Sequence, residues 1–197
     1  MAAKKIIKKT VSVLLLLLFA IIIGSGFAIH KIKSWKNDSN VSIGSWQTVG
    51  KDKDVNNGDL LSIAQIAVYA TYPLKKSEVI YLSANKDSAG NEIDPQSDYV
   101  IEGKKFAAHY WSITAYDQDG FLIKNPNERY SFNFQNVQYE ADSSSYKIYL
   151  SPKEQKQNWL PTGDAKKILL VIRLYQPTDS LRNNLTENVL PVIKKIN

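Results

Sequence analysis

Tyr110-Trp111-Ser112-Ile113-Thr114-Ala115-Tyr116 alternates bulky apolar and small polar side chains with a period of two. A strand turns successive side chains to opposite faces. Trp111, Ile113 and Ala115 therefore share one face, and Ser112 and Thr114 the other. Asp117-Gln118-Asp119-Gly120 follows as a run of turn formers, and then the short apolar Phe121-Leu122-Ile123. Outward from there the same alternation returns. Residues 130–134 place Tyr130, Phe132 and Phe134 on one face, and residues 146–150 do the same with Tyr146, Ile148 and Leu150. Val79–Ala84 and residues 99–102 also read as strands. Residues 168–175 are almost wholly apolar and are expected to form a central strand covered on both faces. Strands at regular spacing, separated by polar turns, predict a mainly β fold of the β-sandwich type. No internal repeat interrupts them.

Before the strands lies a helical pattern. Within 59–70, Leu60, Ile63, Ala64, Ala67 and Val68 fall on one face at a 3.6-residue period. Asn57 or Asp59 is placed to cap it, and Pro73 ends it. This is the one soluble helix expected, packed at an edge of the sandwich.

The first forty residues obey a different logic. The stretch 11–29, from Val11 to Ile29, reads VSVLLLLLFAIIIGSGFAI, 19 residues without a charge. At about 1.5 Å per residue it reaches roughly 28 Å, close to the hydrocarbon thickness of a bilayer. A cleaved signal peptide competes with this reading, but its apolar region is only about 7–15 residues long. Gly26-Phe27-Ala28 is a poor match to its cleavage site, and lysines follow directly. The expected organisation is a cytoplasmic basic tail over 1–10, a transmembrane helix over 11–29, a polar linker over 30–43 and a β-sandwich domain over 44–197. Lys4, Lys5, Lys8 and Lys9 precede the helix, and Lys31, Lys33 and Lys36 follow it. With the α-amino group, the positive-inside rule tips slightly towards a cytoplasmic N-terminus. The domain is then expected outside the cytoplasm, in the periplasm or cell envelope, as a single-pass membrane protein.

The charge of the chain has to be read by region. Its net +6 includes seven lysines and no acid in residues 1–36, which leaves 18 Lys+Arg against 19 Asp+Glu in the rest. A domain of charge near −1 has no electrostatic footprint for nucleic acid. Hydrophobic residues at 44% and charged residues at 22% put the chain among globular proteins. With no cysteine there are no disulfides, no thiolate chemistry and no Cys-based zinc site. The sequons at Asn37, Asn40 and Asn184 matter only where a host glycosylates the compartment.

Several segments resemble a known family. They are the run from Tyr110 to Tyr116, Asp119-Gly120-Phe121-Leu122, Asn125-Pro126, Arg129-Tyr130-Ser131, Asn158-Trp159-Leu160-Pro161 and Arg173-Leu174-Tyr175-Gln176-Pro177. In order and spacing they resemble the domain-of-unknown-function family 1214, from about residue 79 to the C-terminus. The resemblance implies a jelly-roll-type β-sandwich, and its short members resemble this chain in carrying one membrane helix in front. Larger members carry an upstream partner domain, numbered 1254, for which this chain is too short. It implies no activity, and a fold alone supplies none.

Residues able to carry chemistry are few. No G-x-S-x-G elbow and no phosphate-binding glycine loop is present. Of two histidines, His30 lies at the membrane edge and His109 starts a strand. Asp117-x-Asp119-Gly120 opens like a calcium loop but lacks its later ligands, and a hairpin turn explains it more simply. No metal or cofactor is expected. Trp159, in Asn158-Trp159-Leu160-Pro161, is either a packing residue or a ligand contact. Arg129 and Arg173 are two of only three arginines. Arg173 sits in the most apolar strand, where a guanidinium cannot shed its charge and needs acceptors. It is expected to pair with Asp117, Asp119 or Glu128 and hold the fold; the other role open to it is lining a pocket for an acidic ligand. The binding candidates are thus Trp159, Asn158, Arg129, Arg173 and Asp117. The expected function is a non-catalytic, envelope-associated binding or structural module. The alternative is a hydrolase-like enzyme using Asp117, Asp119, Arg129 and Arg173, with no catalytic residue assignable.

Overall fold

Alternation at Ala108–Tyr116 does produce a strand, and the other β-rich segments assemble around it. The computed structural model describes residues 2–34, 41–48, 60, 63–64, 74 and 77–196. The chain divides into two units, Met1–Asp38 and Ser39–Asn197.

The first unit is one helix, Ala2–Ser34. Its stretch Ile6–Ile32 is long and apolar enough to cross a membrane, by length and composition, properties that an N-terminal signal sequence shares. Its leucines, and its isoleucines from Ile6 to Ile29, are exposed.

The second unit is mainly β, with two sheets in a sandwich-like arrangement. Its strands are β1 (Ser42–Ile43), β2 (Trp46–Thr48), β3 (Val79–Ala84), β4 (Tyr99–Lys104), β5 (Ala108–Tyr116), β6 (Ser131–Asn133), β7 (Ser145–Ser151), β8 (Trp159–Pro161), β9 (Leu169–Pro177) and β10 (Val192–Lys195). One sheet has the order β1-β2-β3-β9-β5-β6 and the other β10-β4-β7-β8. Residues of both sheets meet in one core, including Leu82, Ile113, Leu170 and Ile172 from the first and Ile101, Ile148, Leu150 and Ile193 from the second. Each of these buried aliphatic side chains contributes about 1.5–3 kcal/mol. Trp111 and Tyr146 stack across the two sheets with ring centroids 5.0 Å apart, and Phe106 meets Trp111 edge-on.

Trp111, Phe132 and Ile148, each on the bulky apolar face of its alternating segment, are all buried. β9 is central as expected, between β3 and β5, although both pairings are antiparallel. Coverage on its second face is uneven. Val171 is buried, whereas Leu169, Arg173 and Tyr175 are half-buried. β6 is shorter than the 130–134 pattern because the Asn133 side chain accepts the Gln135 and Asn136 N–H groups and turns the chain. Of the 59–70 helix, Leu60, Ile63 and Ala64 are helical, and the rest lies outside the described residues. The short helix Asp179–Asn183, capped by the Thr178 hydroxyl, and the strands β1, β2, β8 and β10 were not anticipated.

Candidate functional site

The face of the larger sheet turned away from the core is built by alternation. In β3, β5 and β9 the inward positions are apolar, so the outward ones carry what remains. Three cross-strand rows result: Tyr81, Arg173 and Ser112; Val79, Tyr175 and Tyr110; Ser83, Val171 and Thr114. Tyr116 closes the face at the end of β5. Tyr110 meets Tyr175 and Phe134 edge-on, with centroids 5.8 and 5.5 Å apart. Among the described residues at these outward positions, Arg173 alone is charged.

Arg173 is not paired as the sequence suggested. Its Nη2 donates to the Tyr116 hydroxyl at 2.7 Å, and its Nη1 to Thr114 Oγ1 at a long 3.4 Å. The guanidinium carbon lies 5.4 Å from the centre of the Tyr116 ring, within cation–π range. Asp117, Asp119 and Glu128 do not reach it. The reason is register. Arg173 stands opposite Ser112, while Tyr116 stands opposite Leu169, four residues further along β9. Four residues of strand separate the two by roughly 13 Å, and the turn carrying Asp117 begins beyond that. Two long side chains leaning together, Arg173 and Tyr116, close the gap where a short aspartate cannot. Asp117 is in any case committed to its own turn, accepting the Asp119 and Phe121 N–H groups, both at 2.9 Å. Asp119 and Glu128 are exposed.

The remaining candidates are scattered. Arg129 is exposed, with its guanidinium carbon 5.1 Å from the centre of the Phe132 ring. The Asn158 side chain is engaged by backbone. Its Oδ1 accepts the Gln138 N–H at 2.8 Å, and its Nδ2 donates to the Gln138 and Lys147 carbonyls at 2.8 and 2.9 Å. It also adopts a left-handed φ of 40°, which asparagine tolerates better than most residues. Trp159 is half-buried in β8, an edge strand of the other sheet beside Tyr149, and its Nε1 donates to the Ser151 carbonyl at 2.9 Å. Arg173 and Trp159 therefore belong to different sheets. His109 is exposed on β5. Among the described residues, no group of three His, Cys, Asp or Glu side chains could hold a metal ion.

What sequence reasoning missed is the company Arg173 keeps. Thr114 and Tyr116 were both visible in the alternating segment, but their alignment with Arg173 depends on the β5–β9 register.

These features define a two-sheet β protein with a tyrosine-lined outer sheet face and one N-terminal apolar helix. The family described as protein of unknown function DUF1214 matches residues 78–179, just over half of the chain, and the chain belongs to that family. The VPA0106 protein from Vibrio parahaemolyticus has a similar solved structure, with a TM-score of 0.58 and 22% identity over 88% of this chain and 43% of that one. At that identity the likeness shows the fold alone. An uncharacterised protein from Burkholderia cenocepacia aligns over 60% of this chain and 29% of that one, at 18% identity and a TM-score of 0.42. The chain thus spans less than half the length of either solved relative. The comparison with curated proteins returns no match.

Proposed function

We propose that this chain is a membrane-anchored, extracytoplasmic module that binds a ligand or an envelope partner and does no chemistry on it. The observation that carries the reading is the outer face of β3, β9 and β5, where one half-buried guanidinium bonded to hydroxyls lies in a field of tyrosines. Tyrosine presents a large rigid surface with a polar tip, the side-chain chemistry that binding surfaces favour. Arg173 is the binding candidate that supports this reading best. Trp159 offers a separate contact on the other sheet. The hydrolase alternative draws no support from the geometry. Asp117 serves its own turn, Arg129 lies against Phe132 and Arg173 bonds to hydroxyls.

Two measurements test the proposal. Alkaline carbonate should leave the chain in the membrane pellet, and protease added to intact spheroplasts should digest the β domain. Release by carbonate, or a protected domain, contradicts the anchor or its orientation. Small molecules extracted from the full-length chain, purified from membranes in detergent, can be compared by mass spectrometry with those from Arg173→Gln. A compound enriched with the wild type and depleted with the variant is expected. Equal recovery from both, or none from the wild type, contradicts the binding role.

A further inference from the structure

We infer that the outer face of the smaller sheet takes an acidic polysaccharide. A pyranose ring of that chain stacks on the Trp159 indole, and its carboxylates meet Lys147 and Lys194. This names a ligand class for the binding role proposed above and rests on that role.

The sheet itself presents the indole. Trp159 stands opposite Tyr149 on β7, and its Nε1 donates to the carbonyl of Ser151, two residues further along β7. A side chain that reaches a main-chain carbonyl of its own sheet lies down along the strands instead of standing away from them. Ser151 and Pro161, at the level it reaches, are buried, and Trp159 is half-buried. Its N–H is thus spent on the backbone, and what it offers to solvent is ring carbon. The negative face of an aromatic ring attracts groups of weakly positive surface. The C–H bonds on one side of a pyranose ring form such a surface, and a flat one.

The same row continues across the sheet. Lys194, Val100, Tyr149 and Trp159 stand side by side on β10, β4, β7 and β8. Three inter-strand spacings make the row about 14 Å wide, room for a short run of sugar rings. Val100 is buried, but Tyr149 is half-buried and Lys194 exposed, so solvent reaches both the aromatic and the basic end.

Charge selects an acidic chain. The outward positions of these four strands carry Lys104, Lys147 and Lys194 against Glu102, a net +2 in a domain whose total is near −1. Asp98 before β4, and Lys153, Glu154 and Lys156 after β7, leave that balance unchanged. Glu102 is bonded by Lys194 and stands opposite Lys147, and its one charge cannot balance both lysines. A nucleic acid brings one charge per nucleotide, more than this small excess offsets. An anionic bilayer is also the poorer fit. Docking on it needs projecting apolar side chains, and Val192 is the one exposed large hydrophobic at these outward positions.

Retention of the full-length chain on beads carrying polygalacturonate, alginate or hyaluronate tests this, in octaethylene glycol dodecyl ether, a detergent without sugar. Retention on at least one of the three, released by its own soluble oligosaccharide, is expected. Trp159→Ala should weaken it about tenfold or more, the scale of one stacked ring. Lys147→Gln should weaken it and flatten its dependence on salt. The wild type and Lys147→Gln decide the matter even if Trp159→Ala fails to fold. No retention on any of the three, unchanged retention of folded Trp159→Ala, or an unchanged salt dependence in Lys147→Gln would overturn the inference. So would tighter retention on immobilised poly(dT), or release by mixed micelles containing phosphatidylglycerol and not by the oligosaccharide. The inference and the proposed function fail differently. A natural compound depleted in Arg173→Gln preparations, with no retention on the beads, sinks the polysaccharide and keeps the binding module. A polysaccharide that retains the chain but is shortened by it sinks the non-catalytic module and keeps the glycan face.

Discussion

Arg173 shows how far one residue can be read before its neighbours are known. Its position in an apolar run, one of three arginines in the chain, marked it out from sequence. The same run implied that it must find acceptors. Which acceptors it finds depends on strand register, and register is a long-range property that the local pattern does not contain. The outcome changes its energetic meaning. An arginine in a buried ion pair is costly to remove, because its carboxylate is left behind in a low dielectric. One bonded to the hydroxyls of the half-buried Tyr116 and the buried Thr114 leaves behind neutral groups rather than a stranded charge, a smaller penalty. Asn158 went the opposite way. It was a ligand-contact candidate, and its side chain is engaged by the backbone of Gln138 and Lys147.

At the scale of elements, the edge strands explain themselves. β1 and β6 are two and three residues long, and β10 carries Lys194 and Lys195. Short strands and edge lysines are the usual protection against further pairing. Pro161 is tolerated in β8 because that strand lies at an edge. The contact between β4 and β7 is tighter. Gly103 stands opposite Tyr146, and a Cβ at Gly103 would come within 2.5 Å of the Tyr146 hydroxyl oxygen and 3.0 Å of Pro191 Cβ. That hydroxyl is buried with no hydrogen-bond partner among the described residues, and burial pushes its pKa up. Gly103→Ala should therefore destabilise the domain by about 1–3 kcal/mol, the usual cost of overpacking. Tyr146→Phe removes an unpaired polar atom and should be neutral or stabilising by about 1 kcal/mol. Because it also removes the atom that a Cβ would meet first, it should recover part of the loss when combined with Gly103→Ala. Urea unfolding of the four proteins measures this. A double variant no better than Gly103→Ala would place the clash on the ring carbon Cζ, 2.7 Å from that Cβ, and on Pro191 rather than on the hydroxyl.

For the whole molecule, the two-sheet β unit and the apolar helix were legible because each has a strong period or length signal. The strands centred on Trp111, Ile148 and Ile172 were found from alternation or from an unbroken apolar run. β2, β8 and β10 escaped because three or four residues are too few to show a period. The outer face of the larger sheet was half legible: its members were visible, but their gathering was not. Whether that face serves binding or merely holds the fold is the central question, and one comparison addresses it most directly. The full-length chain and its Arg173→Met variant are unfolded in urea, followed by the fluorescence of the buried Trp46 and Trp111, and their extracted small molecules are compared in parallel. A binding surface predicts a stability change of about 1 kcal/mol or less, together with loss of the compound recovered from the wild type. A loss of about 3–5 kcal/mol, the scale of a broken buried ion pair, would contradict it and make Arg173 a fixture of the fold.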